Sequence, residues 1–281
     1  MCDPEQYAED LKKYSRRDVG ALGASVGVAM MLPRAANAVD TIEREVTITT
    51  PDGVCDAHFA APRSGSWPAV LVWPDIFGLR TAFRQMGIRL AEQGYAVVTV
   101  NPFYRVSPAP TASAGANTPF SELGALMGGS TPETQFTDAR AILAWLDQQD
   151  EVDTTRGIGT TGYCFGGPLV MRTVATSPNR VRAGATFHGA NLVAMGDDSP
   201  HRLIPQMNAD MLIAIAEGDD SRQPEAKDVL RESFADAGLD AEVEVYPAAH
   251  GWCPTDTGVY DYDQAERAWG RMLALFSKAL G

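Results

Sequence analysis

At 281 residues with 45% hydrophobic content, the chain suits one large globular domain with a sizeable core better than two small ones. A net charge of −13 with no long basic run excludes phosphate backbones and anionic membranes as expected partners. The cysteines, Cys2, Cys55, Cys164 and Cys253, are too few and too scattered for a disulfide scaffold, and no CxxC pair suggests a zinc site.

Residues 1–38 differ in character from the rest. Arg16 and Arg17 precede an uncharged stretch from Val19 to Pro33, and Ala36-Asn37-Ala38 supplies the small residues a signal peptidase needs. This order resembles a twin-arginine export signal, although Val19 stands where a large apolar residue is usual and acids accompany the leading bases. Cleavage after Ala38, contact with the export machinery and a periplasmic or secreted location are the expectation. The apolar stretch is too short to span a bilayer comfortably, so no stable membrane insertion is expected.

From residue 39 to 281 strand-like and helix-like segments alternate, the pattern of an α/β domain with a mostly parallel sheet and helices on both faces. Ile42 to Thr50 and Val54 to Ala60 flank Pro51-Asp52-Gly53 as an opening hairpin. Ala69 to Trp73 and Ala96 to Val100 are continuous apolar runs, as strands covered on both faces require. Between them, helical spacing runs from Thr81 to Gln93 and stops at Gly94. The segment from Pro102 to Thr131, rich in Pro, Ser, Ala and Gly, reads as a long excursion over the sheet that shapes the pocket. A helix follows from Pro132 to Gln149, with Pro132 suited to its first turn. Strands are expected at Gly157 to Thr161, Ala183 to His188, Met211 to Ala216 and Ala241 to Tyr246, and a closing helix from Tyr262 to Leu280.

Within this frame, Gly162-Tyr163-Cys164-Phe165-Gly166 places a nucleophilic side chain midway between two glycines at a strand-to-helix junction. That spacing is a nucleophile elbow: the glycines remove side chains that would collide where the strand folds back into the helix. The following helix N-terminus favours thiolate over thiol. An isolated cysteine is more often buried and inert, and the elbow reverses that expectation. A nucleophile needs a base. Of the four histidines, His250 follows the strand ending at Tyr246 and fits the chain order nucleophile, acid, histidine, whereas His188 comes too early and is instead expected to line the pocket. The acid belongs in Glu217-Gly218-Asp219-Asp220, where a strand runs into carboxylates, and spacing alone leaves Asp219 and Asp220 both open.

From about Val46 onward the chain resembles the dienelactone hydrolase family of α/β-hydrolases. Val72-Trp73-Pro74-Asp75-Ile76-Phe77-Gly78-Leu79, Pro102-Phe103-Tyr104-Arg105, Gly162-Tyr163-Cys164-Phe165-Gly166-Gly167 and Tyr246-Pro247-Ala248-Ala249-His250-Gly251 carry the likeness, and the elbow cysteine is its most specific element. The resemblance implies an α/β-hydrolase fold and a Cys164-His250-Asp219 triad, the family motif choosing Asp219 over Asp220. It also implies an oxyanion hole from the backbone N–H groups of Ile76 and Phe165. Asp75 occupies the place of a glutamate that helps ionise the cysteine in the family, one methylene shorter. Tyr104, Arg105 and His188 are the expected substrate contacts; Pro254 stands where the family's second carboxylate-binding arginine would follow the histidine.

The expected activity is therefore hydrolysis of a small ester or lactone through a thioester, with no metal or organic cofactor. The alternatives are a general carboxylesterase acting on neutral esters, a ligand-binding pseudoenzyme, and a redox thiol. The intact triad argues against the pseudoenzyme. No resolving cysteine lies near Cys164 in sequence, which argues against the redox thiol.

Overall fold

The computed structural model describes residues 9, 10, 12, 13 and 38–281. Arg16, Arg17, the apolar stretch from Val19 to Pro33 and residues 36 and 37 of the expected cleavage site lie outside the described residues. Among the described residues no helix is long and apolar enough to cross a membrane.

Among the described residues the strands are β1 (Thr41–Thr50), β2 (Gly53–Pro62), β3 (Ala69–Trp73), β4 (Ala96–Val100), β5 (Ile158–Tyr163), β6 (Val181–Phe187), β7 (Asp210–Ala216) and β8 (Ala241–Tyr246). They form one sheet in the order β1-β2-β4-β3-β5-β6-β7-β8. β1 and β2 pair antiparallel as the expected hairpin, with Thr50 opposite Gly53 and Pro51-Asp52 as the turn. β2 is also antiparallel to β4, and every later pairing is parallel. This is the α/β-hydrolase fold. The α-helices described between residues 38 and 281 are α1 (Thr81–Ala91), α2 (Phe120–Met127), α3 (Pro132–Leu146), α4 (Gly166–Thr176), α5 (Glu217–Arg222), α6 (Ala226–Asp236) and α7 (Tyr262–Ala279).

The uninterrupted apolar run of β3 has a direct cause in packing. Ala69, Leu71 and Trp73 enter one core layer together with Ile142 of α3 and Val170 of α4. Val70 and Val72, pointing to the other face, join Phe83 of α1 and Met272 and Phe276 of α7. Each fully buried large side chain in such a layer stabilises the fold by about 1.5–3 kcal/mol relative to exposure. Helix starts are set locally. Thr131 Oγ1 accepts the Thr134 N–H ahead of Pro132, and Asp261 caps α7 by accepting the Gln264 N–H.

The excursion from Pro102 to Thr131 builds a third, smaller core. Phe103, Ala112, Ala116, Leu123 and Leu126 pack on Ile76 and Phe77, with Phe165 against the cluster. It thus covers the two loops that follow β3 and β5, where the reactive residues were expected.

Candidate active site

The turn between β5 and α4 holds Cys164 at φ 50°, a conformation that costs a non-glycine residue about 1–3 kcal/mol and persists only when its surroundings enforce it. The enforcement is visible. Cys164 N–H donates to Phe187 O at 3.0 Å, while its own carbonyl accepts from Gly167 N–H at 3.0 Å and Ala190 N–H at 3.1 Å. A Cβ at Gly162 would run into the Gly166 carbonyl, and one at Gly166 into the Trp73 carbonyl, so neither position tolerates a side chain. The side chain of Cys164 is buried. Its sulfur is disulfide-bonded in this structure, while Cys55 and Cys253 are free and buried. Only a reduced thiol can act as a nucleophile.

His250 follows β8 in a loop turned by Gly251 at φ 101°. Its Nδ1 lies 2.8 Å from Asp219 Oδ2. Asp219 sits in the first turn of α5, a six-residue helix that begins directly where β7 runs into these carboxylates. Helical geometry turns successive side chains about 100° apart. Asp219 accordingly faces His250 and also accepts from Arg222 at 2.7 Å, whereas Asp220 points away to Lys227 Nζ at 2.5 Å. The same strand ends are tied together by Glu217 N–H to Ala248 O at 3.1 Å and His188 N–H to Ala214 O at 2.8 Å.

His188, at the end of β6, is the third member of the cluster. Its ring stands edge-on to His250 at 4.9 Å and to Trp252 at 5.0 Å. It is only 1% exposed, its φ is 42°, and neither ring nitrogen has a hydrogen-bond partner. Burial, and then the neighbouring His250, hold its pKa well below the ordinary histidine value, so the ring is neutral. Ligating atoms of Cys164, His188 and His250 all lie within 4.8 Å of one another.

The N–H groups expected to form the oxyanion hole, on Ile76 and Phe165, take no backbone or side-chain acceptor among the described residues. The loop carrying Ile76 is fixed by Asp75. Its carboxylate accepts the Phe77 N–H at 2.9 Å and a two-pronged pair from Arg80 at 2.7 and 2.9 Å. Arg80 in turn reaches Asp256 at 2.6 Å. Asp75 and Arg80 are both buried, so this carboxylate is committed to a buried guanidinium.

Tyr104 and Arg105 lie in another network. Arg105 donates to Asp138 at 2.7 and 2.8 Å and to Asp52 at 2.6 Å, and Tyr104 donates to Asp138 at 2.8 Å. The structure thus brings Cys164, His188, Asp219 and His250 together, and it gives the charged group of Arg105 two carboxylates of the protein itself. Sequence reasoning missed Arg80 and Asp138, whose partners lie far away in sequence or on another element. It also missed the N-terminal residues at the site: Asp10, buried, accepts the His250 backbone N–H at 3.2 Å, and Lys13 meets Glu217 at 2.8 Å.

The sequence profile described as "Dienelactone hydrolase family" matches residues 55–280. The chain belongs to this family. With it comes the class of ester-hydrolysing enzymes. A protein of Methylorubrum extorquens named "Putative carboxymethylenebutenolidase" is 29% identical over 276 residues, covering 92% of this chain and 91% of that protein. One of the same name from Escherichia coli K12 is 26% identical, covering 79% and 82%. Among solved structures, a dienelactone hydrolase-like promiscuous phosphotriesterase from metagenomic libraries aligns with a TM-score of 0.71 at 25% identity, over 86% of this chain and 99% of that one. A Klebsiella pneumoniae structure described as a putative dienelactone hydrolase aligns with a TM-score of 0.73 at 24% identity, over 85% and 99%, a likeness of fold.

Proposed function

We propose that this enzyme hydrolyses small esters or lactones by covalent catalysis at Cys164. The observation that carries the reading is the 2.8 Å approach of His250 Nδ1 to Asp219, with a ring nitrogen of His250 within 4.8 Å of the elbow sulfur. In the reduced enzyme His250 takes the thiol proton, and the sulfur adds to the ester carbonyl. The oxygen that becomes negative is received by the N–H groups of Ile76 and Phe165. Collapse forms the thioester and expels the alkoxide, which takes the proton from the imidazolium. His250 then removes a proton from water, hydroxide adds to the thioester, and the acid leaves as Cys164 recovers its proton. Asp219 holds the tautomer and stabilises the imidazolium throughout.

Asp75 acts in this account by fixing the loop of Ile76, because its carboxylate is matched by Arg80. Carboxymethylenebutenolide-type lactones carry a carboxylate that needs a cation. Here Arg105 is satisfied by Asp52 and Asp138, and Pro254 replaces a second arginine, which favours the second reading, a general esterase acting on neutral esters. His188 contributes a neutral ring to the substrate side. A panel of neutral and carboxylated esters and lactones, offered to the reduced protein, tests both. Turnover of the carboxylated lactone above its neutral analogue would reject the neutral-ester reading, and no turnover of any member would reject hydrolysis.

We infer that the chain is exported through the twin-arginine route and cleaved after Ala38, on the order of Arg16-Arg17, apolar stretch and Ala36-Asn37-Ala38. Cleavage there would also remove Asp10 and Lys13 from His250 and Glu217. Replacing Arg16 and Arg17 by lysines is expected to leave precursor in the cytoplasm; undiminished export would contradict this route.

A further inference from the structure

We propose that, in the reduced protein, Cys164, His188 and His250 form a binding site for one zinc-like divalent cation, which reversibly blocks the nucleophile. The proposal goes beyond hydrolysis and does not depend on it, since three ligands suffice to bind a cation whether or not the site turns over esters.

Three observations carry it. The first is proximity: one ligating atom from each residue lies within 4.8 Å of the other two. Tetrahedral zinc, with bonds of about 2.0–2.3 Å, sets its ligands roughly 3.3–3.6 Å apart, so modest rotations of side chains close the shell. The second is His188. Both of its ring nitrogens are buried without a hydrogen-bond partner, an arrangement that ordinarily costs about 1–3 kcal/mol for each orphaned polar group. A cation gives one of them a partner, while the triad reading gives His188 no hydrogen bond at all. The third is the carboxylate behind His250. Asp219 engages Nδ1 at 2.8 Å and fixes the ring as carboxylates do behind metal-bound histidines.

The donor set selects the cation. One thiolate and two imidazoles suit zinc, cobalt or cadmium; magnesium and calcium require oxygen ligands. Binding replaces the thiol proton with the metal and releases that proton to solvent, with no change in oxidation state. Three protein ligands leave a fourth position for water. The sulfur lone pair and the His250 nitrogen needed for acyl transfer are both committed to the cation, so hydrolysis stops until a chelator removes it.

The test uses the full chain, reduced by a phosphine that is then removed under inert gas. Titration with cobalt(II) is expected to saturate at one equivalent and to produce a thiolate-to-cobalt charge-transfer band in the near ultraviolet. Cys164→Ser should lose that band. His188→Asn keeps a residue tolerant of positive φ and should bind at least about tenfold more weakly. In the unmodified protein, zinc should slow alkylation of Cys164 by iodoacetamide, and a chelator should restore it. Absence of the band, equal affinity in His188→Asn, or alkylation indifferent to zinc would each overturn the proposal. Any of these failures leaves the ester panel unaffected, and failure of that panel leaves the cobalt titration unaffected.

Discussion

Two groups of polar side chains lie beyond the ends of the central strands, and they are resolved in opposite ways. Beyond β3 and β4, each charged head is matched by another: Asp75 by Arg80, Arg80 also by Asp256, and Arg105 by Asp52 and Asp138. Beyond β5 to β8, Cys164, His188, Asp219 and His250 converge and His188 keeps two unpartnered nitrogens, while the N–H groups of Ile76 and Phe165 have no acceptors among the described residues. The first group fixes loops by internal neutralisation. In the proposed mechanism the second holds groups whose partners are reacting atoms. The same residue types, and even adjacent family motifs, therefore serve different purposes according to whether their charge is already matched.

The comparison breaks most sharply at the nucleophile. Cys164→Ala is expected to abolish hydrolysis of every ester in the panel while thermal unfolding changes little, and retention of activity would move the chemistry elsewhere. Next comes the orienting acid. Asp219→Asn should lower turnover by about a hundredfold or more, as when a catalytic histidine loses its carboxylate. Asp220→Asn, which disturbs only the contact to Lys227, should leave turnover within a few-fold. A larger effect at 220 in folded protein would reverse the assignment.

Asp75→Asn sharpens the boundary between the groups. Asparagine still offers an oxygen to the Phe77 N–H but leaves the buried Arg80 with Asp256 as its one carboxylate among the described residues. A loss of stability of about 3 kcal/mol is expected, read from denaturant unfolding. Were Asp75 the group that ionises Cys164, stability would hold and the pH profile of thiol alkylation would shift instead.

These pairings also mark what the sequence could reveal. The apolar runs of β3 and β4 and the glycines at 162 and 166 were legible because they record local constraints: burial on both faces, and a turn with no room for a Cβ. That His250 would lie beside the elbow cysteine and an acid was legible from chain order. Which of Asp219 and Asp220 meets His250 needed the family motif, because the physical reason is the short helix α5, which points neighbouring side chains in different directions. The commitments of Asp75 and Arg105 could not be read. Arg80 meets Asp256 across 176 positions and Arg105 meets Asp138 across 33, and no periodicity records such contacts. The orphaned nitrogens of His188 are invisible for the same reason, since a missing partner is a property of the packed fold.

The central claim, that Cys164 carries the acyl group, is tested most directly by mass spectrometry of the reduced protein quenched during turnover of a slow ester. The account predicts an added acyl mass on the peptide containing Cys164, accumulating when the water step is slowed and absent in Cys164→Ala. An acyl adduct on the peptide of Cys55 or Cys253, or turnover at the full rate by Cys164→Ala, would contradict it.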